Sequence, residues 1–454
     1  MTGAVLSSNS SQHKRSAERG GKIVFTTFGS HGDLNPYLAI ALGLRHRGHH
    51  PVIATSASYA PRIREIGLDF YPVRPDLPPK HNAPQVFKEI MGARSGTEYL
   101  LRRVLLPYLR ESFADLSAAV RDADLLISHP TTFAAPIVAE SERIPWASTV
   151  LSPLSFLSVF DTLAIAQAPG YRHVKRLGPG VLGVLRRIAK RHCLHWFRSI
   201  LELRAELGLP PPAHPIFEGQ HSPDLVLALF SVLMGKPQPD WPTHAQITGF
   251  TFFDSSHESA LAPRLAAFLG SGPPPIVFTL GTLAVRDAGA FFIESAAAAE
   301  RLNSRALLLV GSDPQHQSLI HDNKSLPAGV IACDYAPYSA VFPRASAIVH
   351  QAGIGTTAEA LRAGRPMLVM PCAHDQPDNA ARAVRIGVAR EIKRHSYNAE
   401  SAASELAALL SEPSYASCAA AARQHIAAED GVTSACDAIE EYLSTRGKRA
   451  HKGR

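Results

Sequence analysis

The feature that most constrains this chain is a repeated alternation of short apolar runs with helical patterns, which begins at residue 22. Each apolar run is bounded by turn residues and is followed by a stretch in which apolar residues recur at helical spacing. Strands that are buried on both faces of a parallel sheet have this composition, and helices connect them across the sheet. The alternation therefore predicts an α/β fold built on parallel sheets.

The alternation occurs in two series, and each series predicts one Rossmann-like unit. The first series contains strands at Ile23–Phe28, Val52–Thr55, Leu125–Ser128 and Trp146–Leu151, with helices such as Pro36–Arg47 between them. The second contains strands at Ile276–Leu280, Ala306–Val310, Ile331–Asp334, Ala347–His350 and Met367–Met370. Because open α/β sheets bind ligands at the C-terminal ends of their strands, we predict two facing Rossmann-like domains with a cleft between them.

Length also favours two domains, because a chain of 454 residues exceeds the roughly 250–300 residues that one core usually serves. A Pro-rich stretch near residues 235–245 predicts the linker. We predict a disordered, Ser-rich leader at 1–20, an N-terminal domain at 21–235 and a C-terminal domain at 236–428. The last region, 429–454, contains a helical pattern and a basic tail.

The leader and the cysteines indicate a cytoplasmic protein. The leader has no apolar core of a signal peptide, and no run of about 18 apolar residues occurs along the chain. The five cysteines are widely spread and form no C-x-x-C pair, which argues against a disulfide framework and a zinc knuckle.

The segment from His350 to Gln376 has the pattern of a nucleotide-sugar site. A predicted strand leads into a glycine-containing turn that opens a helix, and such a helix N-terminus binds phosphate. The turn contains His350, Gln351, Gly353, Gly355, Thr356 and Thr357. Glu359 lies one turn further on, where we predict that its carboxylate binds the two hydroxyls of a ribose. The next strand ends before Asp375 and Gln376, whose acceptor and donor groups suit sugar hydroxyls.

These residues resemble the donor signature of the family 1 glycosyltransferases, which have the GT-B fold. The match consists of His-x-x-Gly-x-Gly-Thr-Thr-x-Glu from His350 to Glu359, followed by Gly-x-Pro and by Asp375-Gln376. Asp240-Trp-Pro and the run Cys372–Gln376 are similar to the rhamnosyltransferases of rhamnolipid synthesis, and the sterol and antibiotic glycosyltransferases are more distant. The resemblance extends from Gly21 to about Tyr442 and implies that the final helix returns to the first domain.

The resemblance implies a role for each matched position. Thr356 would contact the diphosphate, Glu359 the ribose, and Asp375 with Gln376 the transferred sugar. Gly281 and Thr282 match a further phosphate contact, and Tyr335 matches the place where plant members have a base-stacking Trp. Two positions depart from the pattern: Gly355 replaces an Asn of plant members, and Gln351 rather than His350 aligns with a phosphate-binding His. The donor therefore stays open between UDP-glucose and other UDP- or dTDP-hexoses.

The loop after the first strand carries the candidate catalytic groups. Inverting transfer needs one base that takes a proton from the acceptor hydroxyl. Asp33 matches the family's Gly-Asp-x-x-Pro position and is the first candidate; an alternative is that it caps a helix that starts near Asn35. His31 is the second candidate, because its ordinary pKa of ~6.5 suits a base. His129 lies where plant members have an Asp that supports the base.

A basic segment bears on the partners of the protein. Eight Arg and Lys and no acids occur between Asp161 and Glu202, and the end of the chain adds five more cations, whereas the remainder carries more acids than bases. Because the excess is local, we do not expect nucleic acid as a partner. Apolar residues near helical spacing within Arg172–Arg204 leave two alternatives: a helix on an anionic membrane, or the acceptor-pocket helices of this family.

We therefore predict an inverting hexosyltransferase with a nucleotide sugar as donor and a hydrophobic, hydroxyl-bearing acceptor that is a small molecule or is lipid-like. No cofactor and no obligatory metal are expected, because Asp122-Ala-Asp124 precedes its strand and lies at the opposite edge of the sheet. Two alternatives are a nucleotide-sugar epimerase of double-Rossmann form, which needs no acceptor pocket, and a non-catalytic scaffold.

Overall fold

The computed structural model describes residues 20–76, 83–168, 170–254, 261–312, 314–321 and 326–452. The predicted leader therefore lies outside the described residues except for Gly20, and so does the end of the basic tail. Within the described residues the strands form two sheets, and all strand pairs in both sheets are parallel.

The first sheet contains seven strands among the described residues, in the order β3-β2-β1-β4-β5-β6-β7. Their bounds are β1 Lys22–Thr26, β2 His50–Thr55, β3 Asp69–Pro72, β4 Leu125–Ser128, β5 Trp146–Val150, β6 Val226–Ala228 and β7 Ala245–Ile247. In the central register Val24 pairs with Val52 on one side and with Leu126 on the other. Because alternate side chains point to opposite faces, Ile23 and Phe25 pack in one apolar cluster and Val24 in another.

The second sheet contains six strands among the described residues, in the order β10-β9-β8-β11-β12-β13. Their bounds are β8 Ile276–Thr279, β9 Ala306–Leu309, β10 Val330–Cys333, β11 Ala347–His350, β12 Met367–Val369 and β13 Ala389–Glu391. Val277 and its neighbours Ile276 and Phe278 again belong to two different clusters, one on each face. Both sheets are thus covered on both sides, as parallel sheets require.

Helices connect the strands and cover the sheets. Those associated with the first sheet are His31–His46, Ala60–Glu65, Ala83–Ile90, Gly96–Tyr99, Leu109–Ala119, Ala134–Ser141, Tyr171–Val174, Pro179–Cys193 and Arg198–Glu206. Those associated with the second are Pro263–Gly270, Gly281–Ala284, Phe291–Arg301, Pro314–His321, Tyr338–Val341, Ile354–Ala363, Gln376–Arg385, Ala399–Ser411 and Pro413–Ala427. A π-helical turn spans Leu100–Leu105, and 3₁₀ turns span Ala57–Tyr59, Leu106–Tyr108, Pro153–Phe156, Lys175–Leu177, Leu194–Phe197, Val285–Asp287, Phe342–Arg344 and Arg394–Ser396.

The last helix, Gly431–Lys452, packs on the first domain after the chain has completed the second. Cys436 and Ile439 are fully buried in the cluster that covers one face of the first sheet. Arg47 bonds to Asp437 (2.5 Å) and Glu440 (2.7 Å) at the surface of the same contact. The first domain is therefore assembled from both ends of the described chain.

Two predicted boundaries differ from the structure. The first sheet includes β7, which lies beyond residue 235, so the chain leaves the first domain later than predicted; β7 is short and partly exposed at the sheet edge, and its sequence lacks an apolar run. The first helix begins at His31 rather than at Pro36, because Ser30 and Asp33 cap it one turn earlier. Pro36 is thus inside the helix.

Arg382 is a buried cation that joins the two domains. Its side chain is 1% exposed; Nε donates to Asp378 Oδ2 on its own helix (2.6 Å) and Nη1 to Asp161 Oδ2 of the first domain (2.6 Å). Asp378 Oδ1 in turn accepts from the backbone N–H of Leu163 (2.6 Å). A buried ion pair of this kind tolerates poorly the loss of one partner, since the other charge stays buried.

Replacing Arg382 by Ala is expected to destabilise the protein by about 3–5 kcal/mol, because it leaves the fully buried carboxylate of Asp378 without its cation and Asp161 with Arg385 alone. The measurement is the thermal and urea denaturation midpoint of the purified protein. Arg390→Ala is the matched control: its pair with Glu405 is about one-third exposed on both sides and should contribute about 1 kcal/mol or less. Equal effects of the two substitutions would contradict a special role for Arg382.

Candidate active site

The C-terminal ends of the two sheets face each other across a cleft with a volume of about 1590 Å³. The loops after β1 and β4 form one wall, and the loops after β8, β10, β11 and β12 form the other. The predicted site residues that line the cleft are Asp33, His31, His129, Gly281, Thr282, Tyr335, Gln351, Gly353, Gly355, Thr356, Glu359, Asp375 and Gln376. The structure thus brings candidates from both domains together.

Asp33 lies in the first turn of the helix His31–His46 and closes its N-terminus. Its Oδ2 accepts hydrogen bonds from the backbone N–H of Ser30 (2.6 Å) and from the Ser30 hydroxyl (3.0 Å). This contact is part of a capping box in which Ser30, not Asp33, is the N-cap residue. Gly29 adopts φ +142°, and a Cβ there would stand 2.2 Å from Asp33 Oδ2, so the loop requires glycine.

His129 approaches the other oxygen of the same carboxylate, with Nε2 3.7 Å from Asp33 Oδ1. His129 Nδ1 lies 2.6 Å from the Thr131 hydroxyl and 3.2 Å from the backbone nitrogen of Thr131. Burial lowers the pKa of His129, although the charge of Asp33 opposes the shift. Burial therefore favours the neutral ring, and Nε2 is the ring atom that faces Asp33.

His31, the second candidate base, belongs to the wall of the cleft. Its ring packs beside that of Tyr59, with centroids 5.7 Å apart. The Tyr59 hydroxyl donates to the Gly29 carbonyl (2.9 Å), which ties this wall to the loop that carries Asp33. The carboxylate of Asp33, by comparison, is held in place by Ser30 and also approaches His129.

The N-terminus of the helix Ile354–Ala363 opens into the cleft from the second domain. Gly353 is its N-cap residue, and the backbone N–H of Thr357 donates to the Gly353 carbonyl (2.9 Å). The backbone N–H groups of the residues before Thr357 come before the first such bond and have no carbonyl partner within the helix. N–H groups of this kind at a helix N-terminus bind phosphate. A Cβ on Gly355 would stand 3.6 Å from Gly32 Cα, so the N-termini of two helices from different domains meet here.

Glu359 lines the cleft one turn into that helix, where its buried carboxyl group has one cation and one further carboxylate as charged neighbours. Its Oε2 lies 3.0 Å from Arg362 Nη2, and Arg362 also forms a two-point pair with Asp254 (2.7 and 2.8 Å). Burial raises the pKa of Glu359 to about 7; Arg362 opposes the shift and the charge of Asp254 adds to it. The carboxyl group therefore changes its charge near neutral pH.

Asp375 lies at the N-terminus of the helix Gln376–Arg385 and does not cap it with its side chain. Its Oδ2 instead accepts from Asn379 Nδ2 (2.8 Å). Burial raises the pKa of Asp375 to about 6; the bond from Asn379 opposes the shift, and the negative charge of Asp33 adds to it. The candidate base and the candidate sugar ligand thus influence each other across the domain boundary.

Gln376 is nearly buried, and its Oε1 accepts from the backbone N–H groups of Cys372 (2.9 Å) and Ala373 (3.1 Å). Any hydrogen bond from this side chain to a sugar would therefore come from Nε2. Gln376 thus stabilises the loop after β12 as well as lining the cleft.

His374 lines the cleft although only its two successors in the motif were predicted as ligands. Its Nδ1 lies 3.1 Å from the Thr97 hydroxyl, which also accepts from Gln167 Nε2 (2.6 Å), so it contacts the first domain. Burial lowers the pKa of His374, against the effect of the Asp33 charge. Its φ of +56° is unusual for a residue with a Cβ, and strained backbone of this kind is often found at functional sites. The sequence signal that could have identified His374 as a cleft residue was its position in the loop after a strand.

Two predicted nucleotide-binding residues do not line the cleft. His350 is fully buried; its Nδ1 accepts from the backbone N–H of Ala352 (3.1 Å), and burial lowers its pKa to about 3. Thr357 is also fully buried, and its hydroxyl donates to the Gly353 carbonyl (3.0 Å). Both side chains lie in the interior, where they stabilise the turn, and neither faces the cleft.

The remaining candidates lie on the cleft wall. Gln351 is 7% exposed, and its Nε2 is 2.5 Å from the place where a Cβ on Gly281 would stand. Thr282 follows in the short helix Gly281–Ala284. Tyr335 is 55% exposed beside them. Gln351 thus occupies the cleft-facing position next to the buried His350.

Features of two other classes of site are absent from the described residues. In the part of the chain that the structure describes, no three His, Cys, Asp or Glu side chains cluster in a way that would hold a metal ion. Over the same residues, no helix combines the length and apolar character needed to cross a membrane.

Known proteins show the same organisation. Residues 23–160 match the profile of the glycosyltransferase family 28 N-terminal domain, and residues 308–441 that of the erythromycin biosynthesis protein CIII-like C-terminal domain. The chain is 30% identical over 437 residues to the O-mycaminosyltylonolide 6-deoxyallosyltransferase of Streptomyces fradiae. This alignment covers 94% of this chain and 98% of that protein. The sterol 3-beta-glucosyltransferase of Aspergillus terreus is 27% identical over 82% of this chain, which spans only 26% of that longer protein.

Solved structures support the fold. The glycotransferase of kitacinnamycin superposes with a TM-score of 0.69 at 21% identity, covering 94% of this chain and 99% of that chain. The glycosyltransferase VinC, in complex with dTDP, superposes with a TM-score of 0.65 at 22% identity, covering 93% of this chain and 100% of that chain.

The two Rossmann-like domains and the cleft between them define a GT-B glycosyltransferase, an enzyme that transfers a sugar from a nucleotide sugar to a small-molecule acceptor. The chain belongs to family 1 of these enzymes, as its sequence predicted.

The raised pKa of Glu359 predicts a pH-dependent effect of the substitution Glu359→Gln. A carboxyl group whose pKa rises on folding from 4.5 to about 7 stabilises the fold fully below pH 4.5, and this contribution is lost as the pH rises through 7. Gln does not titrate, so the melting temperature of the variant minus that of the wild type should increase over this interval. Thermal melts from pH 4.5 to 8 measure it, with the exposed Glu300→Gln as control. A difference that is flat or falls with pH would contradict the assigned environment.

Proposed function

We propose that this enzyme is an inverting hexosyltransferase that uses a UDP- or dTDP-linked hexose and a hydrophobic acceptor hydroxyl, with Asp33 as the general base. The observation that carries the proposal is the meeting of Asp33 with the N-terminus of the helix Ile354–Ala363 across the domain boundary. One supplies a base for the acceptor and the other a site for the leaving diphosphate, and inversion needs these on opposite sides of the anomeric carbon.

The contacts of Asp33 support different tasks for its two oxygens. Oδ2 is held by two hydrogen bonds from Ser30, whereas Oδ1 has His129 Nε2 at 3.7 Å. In the proposed reaction Oδ1 takes the proton of the acceptor hydroxyl as its oxygen bonds to the anomeric carbon. The bond from that carbon to the diphosphate oxygen breaks at the same time. The Nε2–H of His129 orients the carboxylate; in this chain the acid and the histidine thus exchange the places they have in plant members.

The positions of these residues in the cleft support the following donor-binding roles. The free N–H groups at Gly355 and Thr356 would hold the diphosphate without an obligatory metal. Glu359 would accept from the ribose hydroxyls, and Asp375 with Gln376 Nε2 would bind the hexose. Tyr335, half exposed, offers a ring for base stacking. The dTDP complex of VinC supports dTDP as a carrier beside UDP.

The acceptor class is supported by the part of the cleft within the first domain. Its lining there is largely apolar and includes Leu101, Val104, Phe133, Leu182 and Trp196. A polycyclic or amphiphilic alcohol buries apolar surface against such a wall while it presents one hydroxyl to Asp33. The names of the relatives, which refer to a glycosylated lactone and to sterols, support this class.

Incubating the protein with UDP- and dTDP-sugars, with and without a panel of hydrophobic alcohols and phenols, tests the proposed reaction. We expect release of nucleoside diphosphate that depends on the acceptor, with formation of a glycoside of inverted anomeric configuration, which NMR detects. Interconversion of the sugar without an acceptor would instead indicate an epimerase, and a lack of any turnover with bound nucleotide would indicate a scaffold.

Two substitutions separate the catalytic role of Asp33 from its capping role. Asp33→Asn keeps an oxygen that can accept from Ser30, so the fold should survive while turnover falls by roughly 10²–10⁴-fold. Ser30→Ala removes the hydroxyl of the cap and should cost about 1 kcal/mol of stability, but it leaves the carboxylate and most of the activity in place. Nucleotide affinity by calorimetry should be unchanged in both. An active Asp33→Asn enzyme would refute Asp33 as the base.

A further inference from the structure

The helix Pro179–Cys193 has an apolar row on each of two faces. Leu182, Leu185 and Ala189 line the cleft. On the adjacent side, about 100° around the helix, Val181, Val184 and Ile188 are exposed to 42%, 51% and 58%. The spacing of these three residues is that of one side of a helix. Leu177 is exposed to 64% and precedes the helix, from which the non-helical Gly178 separates it. We call the four exposed apolar residues Leu177, Val181, Val184 and Ile188 the outer stripe. Exposed apolar residues grouped in this way are typical of interaction surfaces.

Cations flank the outer stripe. Arg176, Arg187 and Arg191 are exposed, and none of them forms an ion pair among the residues that the structure describes. Other cations of the segment are already paired: Arg172 with Glu391, and Arg186 and Lys190 with Glu218. No acid occurs between Asp161 and Glu202, so this face carries uncompensated positive charge.

We propose that the outer stripe and its three arginines form a docking surface for an anionic lipid bilayer. Apolar side chains of an interfacial helix enter the boundary between headgroups and acyl chains, while flanking arginines bind anionic headgroups. A second copy of this chain fits the surface less well, because a symmetric contact would bring the same unpaired arginines together. An acidic protein surface would form ion pairs with the arginines but would not bury the apolar side chains of the outer stripe.

The helix that carries the outer stripe also lines the cleft, so docking would bring the membrane close to the acceptor region. Its cleft-lining row adjoins the outer stripe, so a bilayer on the outer stripe would lie within one helix diameter, about 10 Å, of the acceptor region. An amphiphilic acceptor would be collected at the surface from which it enters the cleft. This last step rests on the proposed function, whereas docking itself does not.

Binding of the full-length protein to vesicles tests the docking surface without donor or acceptor. We expect cosedimentation with vesicles of phosphatidylcholine and phosphatidylglycerol that weakens as salt is added, and little with phosphatidylcholine alone. Because no sugar transfer is measured, failure of docking is distinguishable from failure of the proposed reaction.

Paired variants locate the binding site on the protein. Val184→Glu with Ile188→Glu, and Arg187→Glu with Arg191→Glu, should each weaken binding by about tenfold or more. Ile293→Glu and Arg301→Glu are the matched controls, since both residues are exposed on a helix of the second domain and should leave binding unchanged. Thermal melts verify that all variants are folded.

Three results would overturn the proposal. The first is the absence of binding to anionic vesicles, and the second is binding that the outer-stripe variants do not change. The third is a dimer in light scattering that the same variants dissociate, because the surface would then be occupied by a second copy of the chain.

Discussion

The arrangement of the active site depends on the buried cation Arg382. It donates to Asp378 on its own helix, to Asp161 of the first domain and to the Met234 carbonyl (2.6 Å). The helix that carries Arg382 begins at Gln376, directly after Asp375. The segment that carries Asp161 continues into residues that line the acceptor part of the cleft. One set of charge-assisted bonds therefore fixes the candidate sugar ligands relative to the acceptor wall, and in a low-dielectric interior it has few alternative arrangements.

The second constraint is the direction of the strands. Because both sheets are parallel, every loop that follows a strand emerges at the same edge, and the two edges face each other. Helix N-termini from the two domains consequently approach each other so closely that a Cβ on Gly355 would be in van der Waals contact with Gly32 Cα. One N-terminus is closed by the carboxylate of Asp33, and the other keeps backbone donors for an anion. The same local geometry thus places a carboxylate on one side and a candidate anion site on the other.

The sequence predicted the fold class and most of the cleft because apolar runs and strand-end motifs are local signals. It missed β3, β6, β7 and β13, which are only three or four residues long. Of these, β3, β7 and β13 lie at sheet edges, where polar residues are tolerated. It could not separate Thr356 from Thr357, since successive helical residues differ by about 100° in direction and only the packed structure shows which one faces the core. The pairing of Arg362 with Asp254 joins residues more than a hundred positions apart, and no local pattern indicates it.

The carboxyl groups of the cleft suggest how the site discriminates its donor. Burial raises the pKa of both Glu359 and Asp375, and in each case another carboxylate adds to the rise. Groups held in this way gain most from ligands that donate hydrogen bonds and bring no further negative charge next to them. Ribose and hexose hydroxyls meet that condition, whereas a phosphate does not. In the proposed donor complex the phosphates would lie at the helix N-terminus at Gly355 and the sugar hydroxyls at the two carboxyl groups, and this distribution of charge favours one orientation of the donor.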